Sequence, residues 1–181
     1  MTSLDELFGA RAAVIVPGAI SAAHADEVRA RLAARGFTRY ALVDRGSYAW
    51  TDDVDEPGLV TALVRAATDV VGGAPDDYDV VEVRALRLVA GDYLLAHHDR
   101  VHDDRRVELV LDVSAAATTG AEVHYRRHGQ LFHRVPSHPG ALSVVERDAA
   151  VTCHHTYVSR RNIDAEVTRL TLRLRSRTVA L

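Results

Sequence analysis

The sequence predicts a mainly β (α+β) fold: a jelly-roll, or double-stranded β-helix, barrel with N-terminal helices packed on one face. Three observations carry this. From Pro75 onward, short β-rich segments separated by turn residues follow one another, at 79–89, 93–99, 106–113, 121–127, 129–135, 141–147, 151–158 and 166–175. Ahead of them stand two segments with helical caps. The last strand has two faces, with Thr168, Leu170, Leu172 and Leu174 alternating with Arg169, Thr171, Arg173 and Arg175. Its leucines need an apolar partner, for which the helices are the obvious choice, and its other face then looks into a barrel.

Taken in order, residues 13–20 read as a short strand broken by Pro17-Gly18. Ser21 is the expected N-cap of a helix over 22–35, which Gly36 stops. Phe37 to Val43 alternate as a strand, and Tyr48 to Asp53 read as an exposed, aromatic-bearing loop. A second helix starts at Pro57, a favoured first position, and runs to Val71 before Gly72-Gly73. No repeat or linker interrupts the chain. The expectation is one domain over 1–181, with 1–78 a helical support and lid and 79–175 the β-helix core.

A hydrophobic fraction of 48% is enough for one full core. The formal charge of -3 gives no footprint for nucleic acid or an anionic membrane surface. No apolar run reaches the roughly 18 residues of a membrane-spanning helix. The acidic start lacks a signal peptide's basic residues, and a single cysteine, Cys153, rules out an internal disulfide. The expected setting is therefore the reducing cytoplasm. All 22 basic residues are arginine, so lysine chemistry is excluded and a fixed anchor for a carboxylate must be Arg or a protonated His.

His97-His98-Asp99 carries the most chemistry. On a strand His97 and Asp99 share a face, and an imidazole with a carboxylate supplies two ligands of a facial triad that suits non-haem Fe(II). A third ligand is available at His154 or His155 on a later strand, where adjacent positions face opposite sides. On the final strand, Arg169 and Thr171 are placed to bind a carboxylate.

These residues carry a resemblance. The run Leu88 to Asp99, with Gly91, Tyr93, His97 and Asp99, resembles the metal-binding segment of prolyl-hydroxylase-like Fe(II)/2-oxoglutarate-dependent oxygenases. Thr119 to Val123 is similar to that family's Gly-rich strand entry, Pro139 to Val145 to the element before its distal histidine, and Arg169-Leu170-Thr171 to its Arg-x-Ser/Thr pattern. The resemblance covers 79–175. It implies Fe(II) held by His97, Asp99 and His154, with His155 the alternative, since the family's His-x-Val pattern fits His154 better. It further implies 2-oxoglutarate anchored by Arg169, with Arg160 or Arg161 as rivals. Leu94 stands where relatives carry a cosubstrate-binding aromatic, so Tyr93, Tyr125 or Thr171 takes that role.

The implied activity is a dioxygenase reaction consuming O2 and 2-oxoglutarate, releasing succinate and CO2, and hydroxylating an unactivated C–H bond. Asp99 favours hydroxylation over halogenation, where related enzymes carry a small residue. The short N-terminal flank favours a small-molecule substrate, such as an amino acid or biosynthetic intermediate, with no nucleic-acid or membrane partner. Arg84, Arg126 and Arg127 are candidates to meet an anionic group on it. A cupin-like metal protein that does not use 2-oxoglutarate is the alternative; its usual His-x-His and Glu are missing from the first motif.

Overall fold

The computed structural model describes residues 13–71, 73–97, 106–148, 150–161 and 163–177, with the backbone alone at 96, 97 and 106. Eleven strands and two α-helices are described: β1 (Ala13–Val16), α1 (Ala22–Arg35), β2 (Thr38–Leu42), β3 (Gly46–Thr51), α2 (Pro57–Val71), β4 (Tyr78–Val89), β5 (Tyr93–His97), β6 (Arg106–Asp112), β7 (Val123–Arg127), β8 (Gln130–Val135), β9 (Leu142–Arg147), β10 (Val151–His155) and β11 (Glu166–Ser176). None of the described helices is long and apolar enough to cross a membrane.

The strands form two antiparallel layers. One runs β1-β9-β6-β11-β4 and the other β5-β10-β7-β8, and β3 joins them by pairing with both β4 and β5. This is the expected barrel. Its second layer brings β5, which carries the first histidine motif, beside β10, which carries the second, although the two lie far apart in the chain.

The helices cover the outer face of the first layer. Leu170, Leu172 and Leu174 of β11 are buried against Ala25, Val28 and Leu32 of α1 and against Leu59, Leu63 and Ala67 of α2, as the two-faced pattern of β11 requires. Helix α1 begins where expected, with the Ser21 hydroxyl accepting from His24 N at 3.2 Å. It ends at Gly36, whose φ of 88° continues the chain in a region that disfavours side chains and whose N–H donates to Leu32.

One expectation is corrected. The segment expected as an exposed loop at Tyr48 to Asp53 is largely strand, β3, paired with β2 as a hairpin and with β4 and β5 at the joint between layers. The aromatic residues that suggested exposure instead pack among themselves, Tyr40 stacked on Tyr48 at 5.5 Å and set edge-on to Trp50 at 5.7 Å. Gly46 permits the joint, because a Cβ there would collide with the Tyr93 carbonyl of β5.

The hairpin is locked from below by Asp92, whose carboxylate is almost fully buried. It accepts from both Arg39 nitrogens, from Ser47 Oγ at 2.8 Å and from Val89 N at 3.0 Å. Burial pushes this carboxyl up, yet these donors outweigh burial and hold it below the ordinary aspartate value.

Candidate active site

Between the layers lies a cavity of about 200 Å3 with walls from both. The first layer contributes Arg84, Val110 and Thr171, the second Leu94, Cys153 and His155, and β3 adds Trp50. The inward face of β11 is therefore the polar one, as its alternation predicts.

Position in the strand decides which histidine of the pair enters. Cys153 and His155 point into the cavity with Tyr125 from the adjacent β7. His154 points the other way, onto the outer face of the second layer. Its ring lies 4.9 Å from that of His124, its direct partner on β7, and His124 in turn meets Glu122 at 2.6 Å. Burial, then the neighbouring charges of His124 and Arg126, hold the His154 pKa below the ordinary histidine value. The expectation of His154 as the inward ligand is thus corrected: the cavity receives His155, because the inward phase of β10 is set by the buried Val151, Cys153 and His155.

His97 lies at the end of β5, its backbone in register with Cys153. Its side chain, and all of His98, Asp99 and the following residues to 105, fall outside the described residues. Among the described residues no three His, Cys, Asp or Glu side chains come together as a metal site; the imidazole that lines the cavity among them is His155. The β5–β10 pairing carries a bulge here. His155 faces Leu94 and Cys153 faces His97, so two steps along β10 match three along β5. The extra residue breaks the alternation and lets both the Leu94 and the His97 positions stand opposite inward residues.

Arg169 is fully buried, with one nitrogen donating to the Ala121 carbonyl and Nη1 lying 3.3 Å from His155 Nδ1. Among the described residues its Nε has no hydrogen-bond partner and no carboxylate pairs with the group. Burial lowers its pKa from the ordinary arginine value, while Asp112, Tyr125 and Glu122 oppose that at longer range. A buried guanidinium left in this condition is costly unless an anion completes it. The rival anchors are elsewhere: Arg160 and Arg161 are exposed.

Thr171 lines the cavity two residues beyond Arg169. Tyr93 does not; its ring lies beside Gly46, outside the cavity. The expectation that Tyr93 fills the role of the missing aromatic is therefore corrected, since the bulge gives the inward place to Leu94. Two tyrosines do line the cavity, Tyr48 of β3 and Tyr125 of β7, and Tyr125 is the fully buried one. Tyr125 donates to Glu108 at 2.5 Å, and burial, reinforced by the Glu108 carboxylate, pushes its pKa well above the ordinary tyrosine value.

No family model and no curated protein matches the chain. Solved structures do. The chain is similar to a Pseudomonas putida prolyl-4-hydroxylase, with a TM-score of 0.69 at 19% identity over 96% of this chain and 97% of that one. It is also similar to the viral collagen prolyl hydroxylase of Paramecium Bursaria Chlorella virus-1 in its 2OG complex, with a TM-score of 0.66 at 14% identity over 94% and 98%. A third is the non-heme alpha ketoglutarate dependent carbocyclase SnoK from nogalamycin biosynthesis, with a TM-score of 0.66 at 11% identity over 94% and 81%. The fold is that of the prolyl-hydroxylase-like 2-oxoglutarate oxygenases.

Sequence reasoning missed a buried polar network at one end of this cavity. Glu108 accepts from Tyr125, from Arg147 Nη1 at 2.8 Å and from Arg173 Nε at 3.3 Å, while Arg147 also donates to Cys153 Sγ at 3.2 Å. Glu108 lies on β6 and its partners on β7, β9 and β11, so no local pattern joins them. Arg126 and Arg127, weighed as anion contacts, are engaged at the outer surface, with the Gly129 carbonyl and with Asp148.

Proposed function

We propose that this chain is an Fe(II)- and 2-oxoglutarate-dependent dioxygenase that hydroxylates a C–H bond of a small molecule. The observation that carries the reading is Arg169: a fully buried guanidinium whose Nε has no partner among the described residues, 3.3 Å from His155, which lines the cavity between the two layers. A carboxylate entering there gains a charge-assisted pair and removes the cost of the incomplete guanidinium.

In this reading His97, Asp99 and His155 hold the iron. An imidazole and a carboxylate from β5 and its continuation, with an imidazole from β10, make a two-histidine, one-carboxylate donor set that suits Fe(II) and leaves positions open. Bound there, iron and 2-oxoglutarate supply O2-dependent oxidation coupled to loss of CO2 and formation of succinate. The chain's own part is placement. Arg169 and Thr171 take the distal carboxylate of 2-oxoglutarate, and Leu94, Leu86 and Val110 give the cavity apolar lining. The reaction proceeds in the cytoplasm on a soluble substrate small enough for the cavity.

The test is an anaerobic visible difference spectrum of the Fe(II)-loaded protein before and after 2-oxoglutarate. A metal-to-ligand charge-transfer band is expected in the wild type, and Arg169→Gln should need at least tenfold more 2-oxoglutarate to reach it while binding Fe(II) normally. Iron binding with no band moves the chain to a metal protein that does not use 2-oxoglutarate.

A further inference from the structure

The charged residues lining the cavity are not balanced. Two carboxylates, Glu82 and Glu108, face Arg45, Arg84 and Arg173 across it, and Arg147 stands directly behind Glu108. Their pairing uses up some of these groups and leaves others. Arg173 is spent twice, on Glu82 at 2.8 Å and on Glu108 at 3.3 Å, and Arg147 is spent on Glu108. Arg84 touches Glu82 only through Nε, and its terminal nitrogens make no hydrogen bond among the described residues. Arg45 makes no side-chain ion pair or hydrogen bond among them either, although it lines the same cavity.

Arg84 is also held in place. Its guanidinium lies over the Trp50 ring, 4.1 Å from the centroid, an arrangement that fixes the plane of the fork and leaves its outer edge open. Such a fork is preorganised for a carboxylate, so less side-chain freedom is lost on binding than for a loose arginine. Tyr48 and Trp50 supply aromatic wall beside it.

These groups are separate from the Arg169 anchor. On the β4–β11 pair Arg84 lies opposite Thr171, two residues along from Arg169, a displacement of about 7 Å at the usual strand rise. The strand places Arg84 on the side of Arg169 that leads toward Arg173 and Glu82, away from the Ala121 carbonyl that Arg169 contacts. Two cationic places thus lie between the layers: an inner one, the single buried Arg169 beside His155, and an outer one, where Arg84 and Arg45 line the cavity against an aromatic wall.

We propose that the substrate of this chain carries a carboxylate that docks on Arg84 and Arg45, with its carbon body along Tyr48 and Trp50. The proposal rests on the oxygenase reading for calling that ligand a substrate. The carboxylate holds one end of the molecule at the outer cationic place and directs the rest of it inward, toward His155.

Trp50 is the only tryptophan of the chain, so its fluorescence reports this wall alone. The full-length protein, loaded with Mn(II) and saturating 2-oxoglutarate, is titrated with phenylacetate and octanoate and, in parallel, with phenylacetamide and octanamide. The carboxylates should change Trp50 emission saturably and the amides should bind at least tenfold more weakly. Arg45→Gln and Arg84→Gln should each erase most of that preference, with Arg84→Lys recovering part of it. Equal binding of acid and amide overturns the proposal, as does an Arg45→Gln and Arg84→Gln pair that both bind like the wild type. Loss of the 2-oxoglutarate charge-transfer band in Arg84→Gln overturns it too, by making Arg84 the cosubstrate anchor. A wild type that lacks the band while still preferring the acids sinks the oxygenase reading and not the carboxylate site.

Discussion

Replacing each member of the β10 histidine pair by alanine separates the inward position from the outward one. His155 is buried, faces the cavity and touches the Arg169 guanidinium, whereas His154 contacts His124 on the opposite face of the same layer. Changes one step removed from a metal typically cost 10–100-fold in affinity, so loss of a direct ligand should exceed roughly 100-fold, or about 2.8 kcal/mol. His155→Ala should therefore weaken Fe(II) binding by more than about 100-fold. His154→Ala removes only an edge-on ring contact, worth about 0.5–1.5 kcal/mol of folding stability, and leaves the cavity untouched. Its Fe(II) affinity should stay within about threefold of wild type. The assay is an anaerobic Fe(II) titration of both variants by competition with a chromogenic chelator, with circular dichroism confirming that each is folded. Wild-type iron affinity in folded His155→Ala, or loss of iron in His154→Ala, would refute the argument from strand phase.

Two further predictions concern what holds the cavity in shape. Asp92→Asn keeps the size of a buried side chain but breaks its charged pair with Arg39, at a cost of about 2–4 kcal/mol in a urea unfolding titration. Because the folded carboxyl is held below its ordinary value, its stabilisation is complete above about pH 3.9 and disappears as pH falls through the folded pKa. Wild type and variant should accordingly converge in acid; a constant gap down to pH 2 would contradict this. Leu172→Ala opens a cavity beneath the helices and should lower stability by about 2–5 kcal/mol, or Tm by roughly 4–20 °C, while Leu95→Ala, at 44% exposure, should change it by less than about 1 kcal/mol. Equal effects of the two leucines would remove the helix-on-sheet core from the account.

The layers were legible because their signals are local. Ser21 and Gly36 bound α1, Pro57 opens α2, and the alternation of β11 states which face meets the helices and which meets the cavity. The hairpin β2–β3 was half missed for an equally physical reason. Aromatic and polar residues such as Tyr48, Trp50 and Thr51 serve an exposed loop and a two-sided strand alike, and only pairing with both β4 and β5 distinguishes the two. Nothing in Gly46 announces that its missing Cβ is what admits the Tyr93 carbonyl.

The site itself was legible in residue type and illegible in phase. Two histidines in adjacent positions of one strand carry the same short-range pattern, and a family-like spacing favoured His154. What decides between them is which side of β10 the rest of the strand buries: Val151 and Cys153 are apolar and inward, so His155 is inward with them, and no spacing rule overrides that. The β5 bulge is the complementary lesson. Strict alternation puts Leu94 and His97 on opposite faces, yet the pairing sets both opposite inward residues of β10 by inserting one residue between them. A bulge next to the expected metal-binding end of a strand re-aims the residues beyond it, so it belongs to the site as much as the ligands do. Deleting Leu95 would leave two steps of β5 against two of β10 and keep His97 opposite Cys153, whereas one alanine inserted after Leu95 should move His97 a place out of that register and cost Fe(II) binding even though no ligand has been changed. Retained iron affinity in a folded insertion variant would mean that the register of β5 has no part in aiming His97.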